Sequence, residues 1–315
     1  MGEAPRLKPM MSTEILDAAF RLYRSNFATF LGIFAVLYVP VTLVMVAFSG
    51  YLFSQAQAAL LGAMDQAAQK EAEQNLQMIQ GLVFLVDLVL EALIAIPLAT
   101  GALTCAVGLR YLNEPASIGK AYGQIFPIIF KYLGTALLNG LVVGLSFLVF
   151  LLPALFLLFT GNIAVSSLAF LVGLPFGVFF GYRFMTWFFA TTSIVCLEGL
   201  GGTRAMGRSR ELVRGFGGRV FGMLFLTGML QGAVIGPVSF GIGFVSPLLT
   251  DSLALQYTMA TVVQQVLGIL VTPFFSAVLV LLYYDLRIRK EAFDLEVLAK
   301  NLGSAGPPQA APAPP

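Results

Sequence analysis

Four long stretches of this chain carry no charge: residues 25–64, 132–182, 220–250 and 252–284 contain no Asp, Glu, Lys or Arg. A soluble domain rarely shows such runs, because about a quarter of its residues are ionisable. Here 11% are charged and 58% hydrophobic, and the mean hydropathy is +0.88. In a bilayer every backbone polar group must be satisfied within the chain, and long uncharged runs do that as helices. The expected fold class is therefore an all-α integral membrane protein.

A helix needs about 20 apolar residues to cross the hydrocarbon core. The run 132–182 is too long for one crossing, and "TGN" at 160–162 supplies the turn between two. The pattern predicts six spans, over roughly 27–49, 81–109, 132–159, 164–190, 220–246 and 259–284. Each holds a proline: Pro40, Pro97, Pro153, Pro175, Pro237 and Pro273. Such residues break helices around transport sites, but neighbouring helices also accommodate simple kinks.

An even number of spans puts both termini on one side. Of the 18 lysines and arginines, only Lys70 falls on the opposite side and Arg183 within a span. The positive-inside rule then makes the termini cytoplasmic, and the expected location is a bacterial cytoplasmic membrane, spanned many times. The charged N-terminus has no uninterrupted apolar run and does not read as a cleavable signal.

The cytoplasmic connections repeat. "ILDAAFRLYRSNFATFLG" (15–32), "SIGKAYGQIFPIIFKYLG" (117–134) and "TRAMGRSRELVRGFGGRVFG" (203–222) each run into a span. On a helical wheel the first gathers Ile15, Leu16, Ala19, Phe20, Leu22, Tyr23 and Phe27 opposite Asp17, Arg21 and Arg24. The third sets Ala205, Met206, Leu212, Val213 and Phe216 against Arg204, Arg208, Arg210 and Arg214. That is the pattern of helices lying in the interface, apolar side to the acyl chains. The expected architecture is three repeats of an interfacial helix plus a transmembrane hairpin. A membrane domain covers 1–302, with residues 54–80 as an Ala/Gln-rich helix outside the membrane and a cytoplasmic helix over 285–302. Residues 303–315 form a Pro/Ala tail with nothing to bury, expected to be disordered.

Histidine is absent, which removes the commonest general base and the triads built on it. Cys105 and Cys196 are the only cysteines, too few for a disulfide scaffold or a zinc site, and they read as small buried residues. No phosphate loop appears, "GLGGT" at 199–203 included. A net charge of +2 gives no reason to expect nucleic acid, and no cofactor or metal is expected.

Three groups of residues carry possible chemistry. Asp87 and Glu91 stand one helical turn apart on the second span, where ionisable groups are costly and mark function by default. They suit a proton relay, a cation site or a pair for Arg183; equally, Asp87 reaches the headgroups and Glu91 finds a hydroxyl. Arg183, flanked by Tyr182 and Trp187, either snorkels or pairs within the bundle. Arg204, Arg208, Arg210 and Arg214 make a phosphate-facing surface for anionic lipid of the cytoplasmic leaflet, or merely fix orientation. Small-xxx-small pairs such as Gly140/Gly144 and Gly173/Gly177/Gly181 suit close helix contact, within the chain or in a homo-oligomer.

A further charged stretch is the closing block "YYDLRIRKEAFDLE" (283–296). Pairs four apart, Arg287–Glu291 and Lys290–Asp294, support a helix, and Ile288, Leu295, Leu298 and Leu302 make an apolar docking stripe. The block resembles the closing motif of the bacterial glycerophosphoryl diester phosphodiesterase membrane-domain family in Tyr284, Asp285, Arg287, Arg289, Glu291 and Asp294. That family usually has Gly where Ala292 stands. "EGLGGTRAMGRSRELVRG" is similar to its mid-chain block, through Glu198, Gly199, Ala205, Arg208, Ser209, Leu212 and Gly215, and "ILDAAFRLYRSNF" to its opening. The resemblance implies a multi-span domain that is sometimes fused to a phosphodiesterase. That enzyme needs histidines and a barrel of about 250 residues, so no catalysis is expected here. The leading expectation is a non-enzymatic membrane module, lipid-interacting or scaffolding. A transporter using Asp87 and Glu91 comes second, and a membrane enzyme acting on a lipid third.

Overall fold

The computed structural model describes residues 8–158 and 163–295. The expected turn at 160–162, the tail, and Leu298 and Leu302 of the docking stripe lie outside the described residues. Within them the chain is helical and no strand occurs. Six helices are long and apolar enough to cross a membrane.

The elements are α1 (Ser12–Ser25), α2 (Phe27–Gly62), α3 (Gln66–Asp87), a π-helical segment Leu88–Ala95, α4 (Ile96–Tyr111) and α5 (Ile118–Ile125). After a 3₁₀ turn at Phe126–Ile128 come α6 (Ile129–Leu158), α7 (Ile163–Phe188), α8 (Thr191–Leu197), α9 (Thr203–Val213), α10 (Gly217–Leu249) and α11 (Leu253–Glu291). The spans are α2, the composite α3–π–α4, α6, α7, α10 and α11. The short helices α1, α5 and α9 each precede an odd-numbered span, in phase with the sequence repeat.

Residues 54–80 do not form a separate element. They extend α2 and α3 beyond the uncharged core, with a break only at Ala63–Asp65. Asp65 caps the new helix by accepting the Ala68 amide at 2.7 Å, which satisfies one of the orphan donors of a helix start.

The amphipathic helices face the protein as well as the membrane. Ile15 and Ala19 of α1, Ala121 and Ile125 of α5, and Ala205, Leu212 and Val213 of α9 all join the main apolar core. The expected apolar faces are present, but these residues pack on the bundle rather than on acyl chains. Phe20 and Phe27 remain outward.

The core centres on α11. Half of its apolar window is inside the protein, against 6% for α10. Helices α2, α10, α4 and α1 pack around it. Large apolar side chains such as Leu145, Phe156, Leu171, Phe179, Phe240 and Phe244 point outward from α6, α7 and α10, as lipid-facing surface does.

Helices α6 and α7 form a close hairpin. A Cβ on Gly173 would stand 2.2 Å from the Phe150 carbonyl oxygen, and one on Gly177 3.1 Å from that of Phe147. Small residues are what lets two backbones approach this closely. Gly140 and Gly144 differ: a Cβ there would meet open space, so that pair mediates no close helix contact among the described residues.

The closing helix departs from the expected 285–302. It is interrupted after Glu291, where Ala292 adopts the left-handed conformation (φ 52°, ψ 42°), and residues 293–295 are helical again. The turn sends Phe293 back against Tyr284, with ring centroids 5.7 Å apart, while Leu295 is exposed.

Candidate functional site

The closing block is a clamp on the N-terminus. Asp285 is fully buried. Its carboxylate accepts the Met10 amide at 2.8 Å, Arg219 Nε at 3.1 Å and Arg289 Nε at 3.0 Å. Both guanidiniums also donate to the Met10 carbonyl, Arg289 Nη2 at 2.7 Å. One buried anion thus faces two cations and a peptide group. A buried charge survives only when paired and hydrogen-bonded in this way.

A second network joins the mid-chain and closing blocks. Tyr283 donates its hydroxyl to Glu198 Oε1 at 2.7 Å, and Arg208 donates to Glu198 at 3.1 Å and to Glu291 at 2.6 Å. Arg287 pairs with Glu291 at 3.2 Å and lies 4.1 Å from the Phe293 ring centroid. Burial works against the Arg208 charge, but the hydrogen bonds it donates to Glu291 and Glu198 outweigh that and hold the guanidinium's pKa above its usual value. Arg208 is therefore a tie within the fold rather than a free lipid contact. Lys290 does not pair with Asp294. Its ammonium donates to the carbonyls of Glu211 and Arg214, where the last carbonyls of α9 lack helix partners. Asp294 lies past the break at Ala292, half-buried.

Beside α9 the remaining arginines shape a basic cleft. Its walls are Arg183 and Trp187 from α7, Arg210 and Glu211 from α9, and Arg214 and Gly217 beyond, around about 800 Å³. The Arg183 and Arg210 guanidiniums lie 4.6 and 4.7 Å from the centre of the one Trp187 ring. Cation–π attraction favours each contact, yet it brings two like charges to a single side chain. Local order holds the arrangement. Ser209, fully buried, donates to the Trp187 carbonyl at 2.8 Å and accepts the Ala190 amide at 3.3 Å, stitching α9 to the end of α7. Gly202, at φ 61°, opens α9 in a conformation that glycine adopts without strain. Arg204 is exposed on the same helix but does not line the cleft.

Asp87 and Glu91 lie at the other end of the bundle. Together with Gln265, Thr261 and Tyr257 of α11 they line a cavity of about 370 Å³. Arg183 is not among its walls, so the pair considered from sequence does not form. The two carboxyls, four residues apart in the chain, share this cavity with the Gln265 side chain. Glu91 sits in the π-helical turns that end just before Pro97. Proline lacks the amide hydrogen and crowds the carbonyl four residues back, and widened turns are one way a helix absorbs that. Tyr132 then donates to the Pro97 carbonyl at 2.8 Å.

Arg183, Arg204, Arg208, Arg210, Arg214, Asp87 and Glu91 stand out in the sequence; Arg219, Met10 and Gln265 do not. Arg219 looks like one more cytoplasmic orientation charge, and a backbone amide at Met10 leaves no trace in composition. Gln265 does leave a trace: it is a polar residue inside an uncharged run.

Fold and polar interior together define an all-helical protein of the multi-pass membrane type. The chain belongs to the family described as Domain of unknown function (DUF8558), whose model matches residues 2–304. No curated protein and no solved structure matches it.

Proposed function

We propose that this is a non-enzymatic membrane protein that holds an anionic phospholipid headgroup in the cleft between Arg183, Trp187, Arg210 and Arg214. One observation carries the reading: two guanidiniums share a single indole ring, and no carboxylate pairs with either among the described residues. Arginine matches phosphate geometry through paired donors, so a phosphate between the two removes their mutual repulsion. The cleft opens at the end of the bundle that carries the termini and most of the cations, which supports an inward orientation in a bacterial cytoplasmic membrane. Kinship with the glycerophosphoryl diester phosphodiesterase membrane domains is part of this reading. It is supported by the meeting of the mid-chain and closing blocks at Glu198, Arg208 and Glu291.

Native mass spectrometry of gently solubilised protein, with lipid extraction, tests the proposal. A bound anionic phospholipid lost in the double variant Arg183→Gln, Arg210→Gln is the expected result. Equal retention by the variant overturns it. Arg208 is unsuited to this test, because changing it breaks the ties to Glu198 and Glu291.

A further inference from the structure

The cavity at the opposite end holds an imbalance that the lipid reading does not use. Gln265 is only 6% exposed, and its Oε1 is one of three buried side-chain polar atoms without a hydrogen-bond partner among the described residues. It lines the same cavity as Asp87 and Glu91. A buried acceptor left without a donor is destabilising, and a ligand that seeks oxygen removes the deficit.

Charge points the same way. Asp87 and Glu91 line one cavity of low dielectric, where two carboxylates ionised side by side repel strongly, so a net charge of minus one is favoured over minus two. No lysine or arginine pairs with either carboxyl among the described residues, and the other titratable neighbours are the phenols Tyr38 and Tyr257. Nothing among the described residues donates to Gln265 Oε1. A single positive charge coordinated by oxygen resolves both deficits at once.

We propose that Asp87, Glu91 and Gln265 form an intramembrane binding site for one monovalent alkali cation, of the size of sodium. The Thr261 and Tyr257 hydroxyls, which line the same cavity, supply further oxygens. A divalent ion would demand more anionic ligands, and no group of three or more acidic, histidine or cysteine side chains occurs among the described residues. The widened helical turns carrying Glu91 have the form often found where helices serve a ligand. This site is independent of the lipid cleft.

The test is thermal unfolding of the purified full chain in detergent, with sodium chloride replacing choline chloride at constant ionic strength. A saturable rise in Tm with sodium is expected, and Glu91→Gln and Gln265→Leu should each weaken half-saturation roughly tenfold or more, as loss of a metal-site group does. If Gln265→Leu does not fold, Asp87→Asn is read in its place. A rise that choline reproduces, a rise that persists undiminished in the variants, or a site that responds to pH alone overturns the proposal.

Discussion

Asp285 accepts the backbone amide of Met10, 275 residues earlier in the chain, at 2.8 Å. The contact joins the segment before the first helix to the last turns of the last span, and Arg219 of α10 closes it from the side. The closing block, read from sequence as a docking element, is in its geometry a lock between Met10 and the last span.

Removing that lock has a large expected effect. Asp285→Ala leaves Arg219 and Arg289 facing each other and the Met10 amide without an acceptor. Breaking one side of a buried ion pair costs about 3–5 kcal/mol. Thermal unfolding in detergent should show a fall in Tm, and limited proteolysis should cut first near the N-terminus.

Packing at the α6–α7 hairpin is tested by Gly173→Ala. The new methyl meets a carbonyl oxygen rather than a side chain that can move, so the helices must part. Overpacking of this kind costs about 1–3 kcal/mol, read as a lower Tm with helix content unchanged by circular dichroism.

Ala292→Gly should do the reverse. A left-handed residue with a Cβ is strained by about 1–2 kcal/mol, and glycine gives back part of that gain through the freedom of the unfolded chain. A net stabilisation of about 0.5–1 kcal/mol is expected, visible as a modest rise in Tm.

Glu14 provides a pH signature. Its carboxylate accepts the Met11 amide at 2.6 Å and pairs with Lys8 at 3.0 Å, and these two bonds, the backbone one first, hold its pKa below the ordinary 4.5. A lowered folded-state pKa means that the contribution is fully present above that ordinary value and is lost as pH falls through the folded one. The difference in Tm between the native chain and Glu14→Gln should therefore shrink as the pH drops below about 4.5, on an acid series measured in one detergent.

The spans were legible because the bilayer demands long uncharged helices, and nothing else in a sequence mimics 33 consecutive uncharged residues such as 252–284. The short helices were legible through their amphipathic phase, though the wheel of α1 says nothing of whether Ile15 meets lipid or protein. The site was half legible. Asp87 and Glu91 stand out as charges in an apolar run, but their partner is chosen by tertiary packing: Gln265 of α11 and not Arg183. Likewise Arg208 and Arg210, two residues apart on one helix, look equivalent in a list of cations. The fold gives the first to Glu198 and Glu291 and leaves the second against Trp187. The break at Ala292 was hidden for a different reason, since alanine is the strongest helix former and only its surroundings force it out of the helix.

The lock between Met10 and Asp285 also sets an order of events during synthesis. A ribosome makes the N-terminal segment first and Asp285 near the end, so α1 lacks its main packing partner, α11, while the spans from α2 to α10 are inserted. Its final seat exists only once α11 has entered the membrane and brought Asp285 and Arg289 beside Arg219. Chains cut short before residue 285 consequently lack the carboxylate that receives the Met10 amide, and their N-terminal segment has no lock to close.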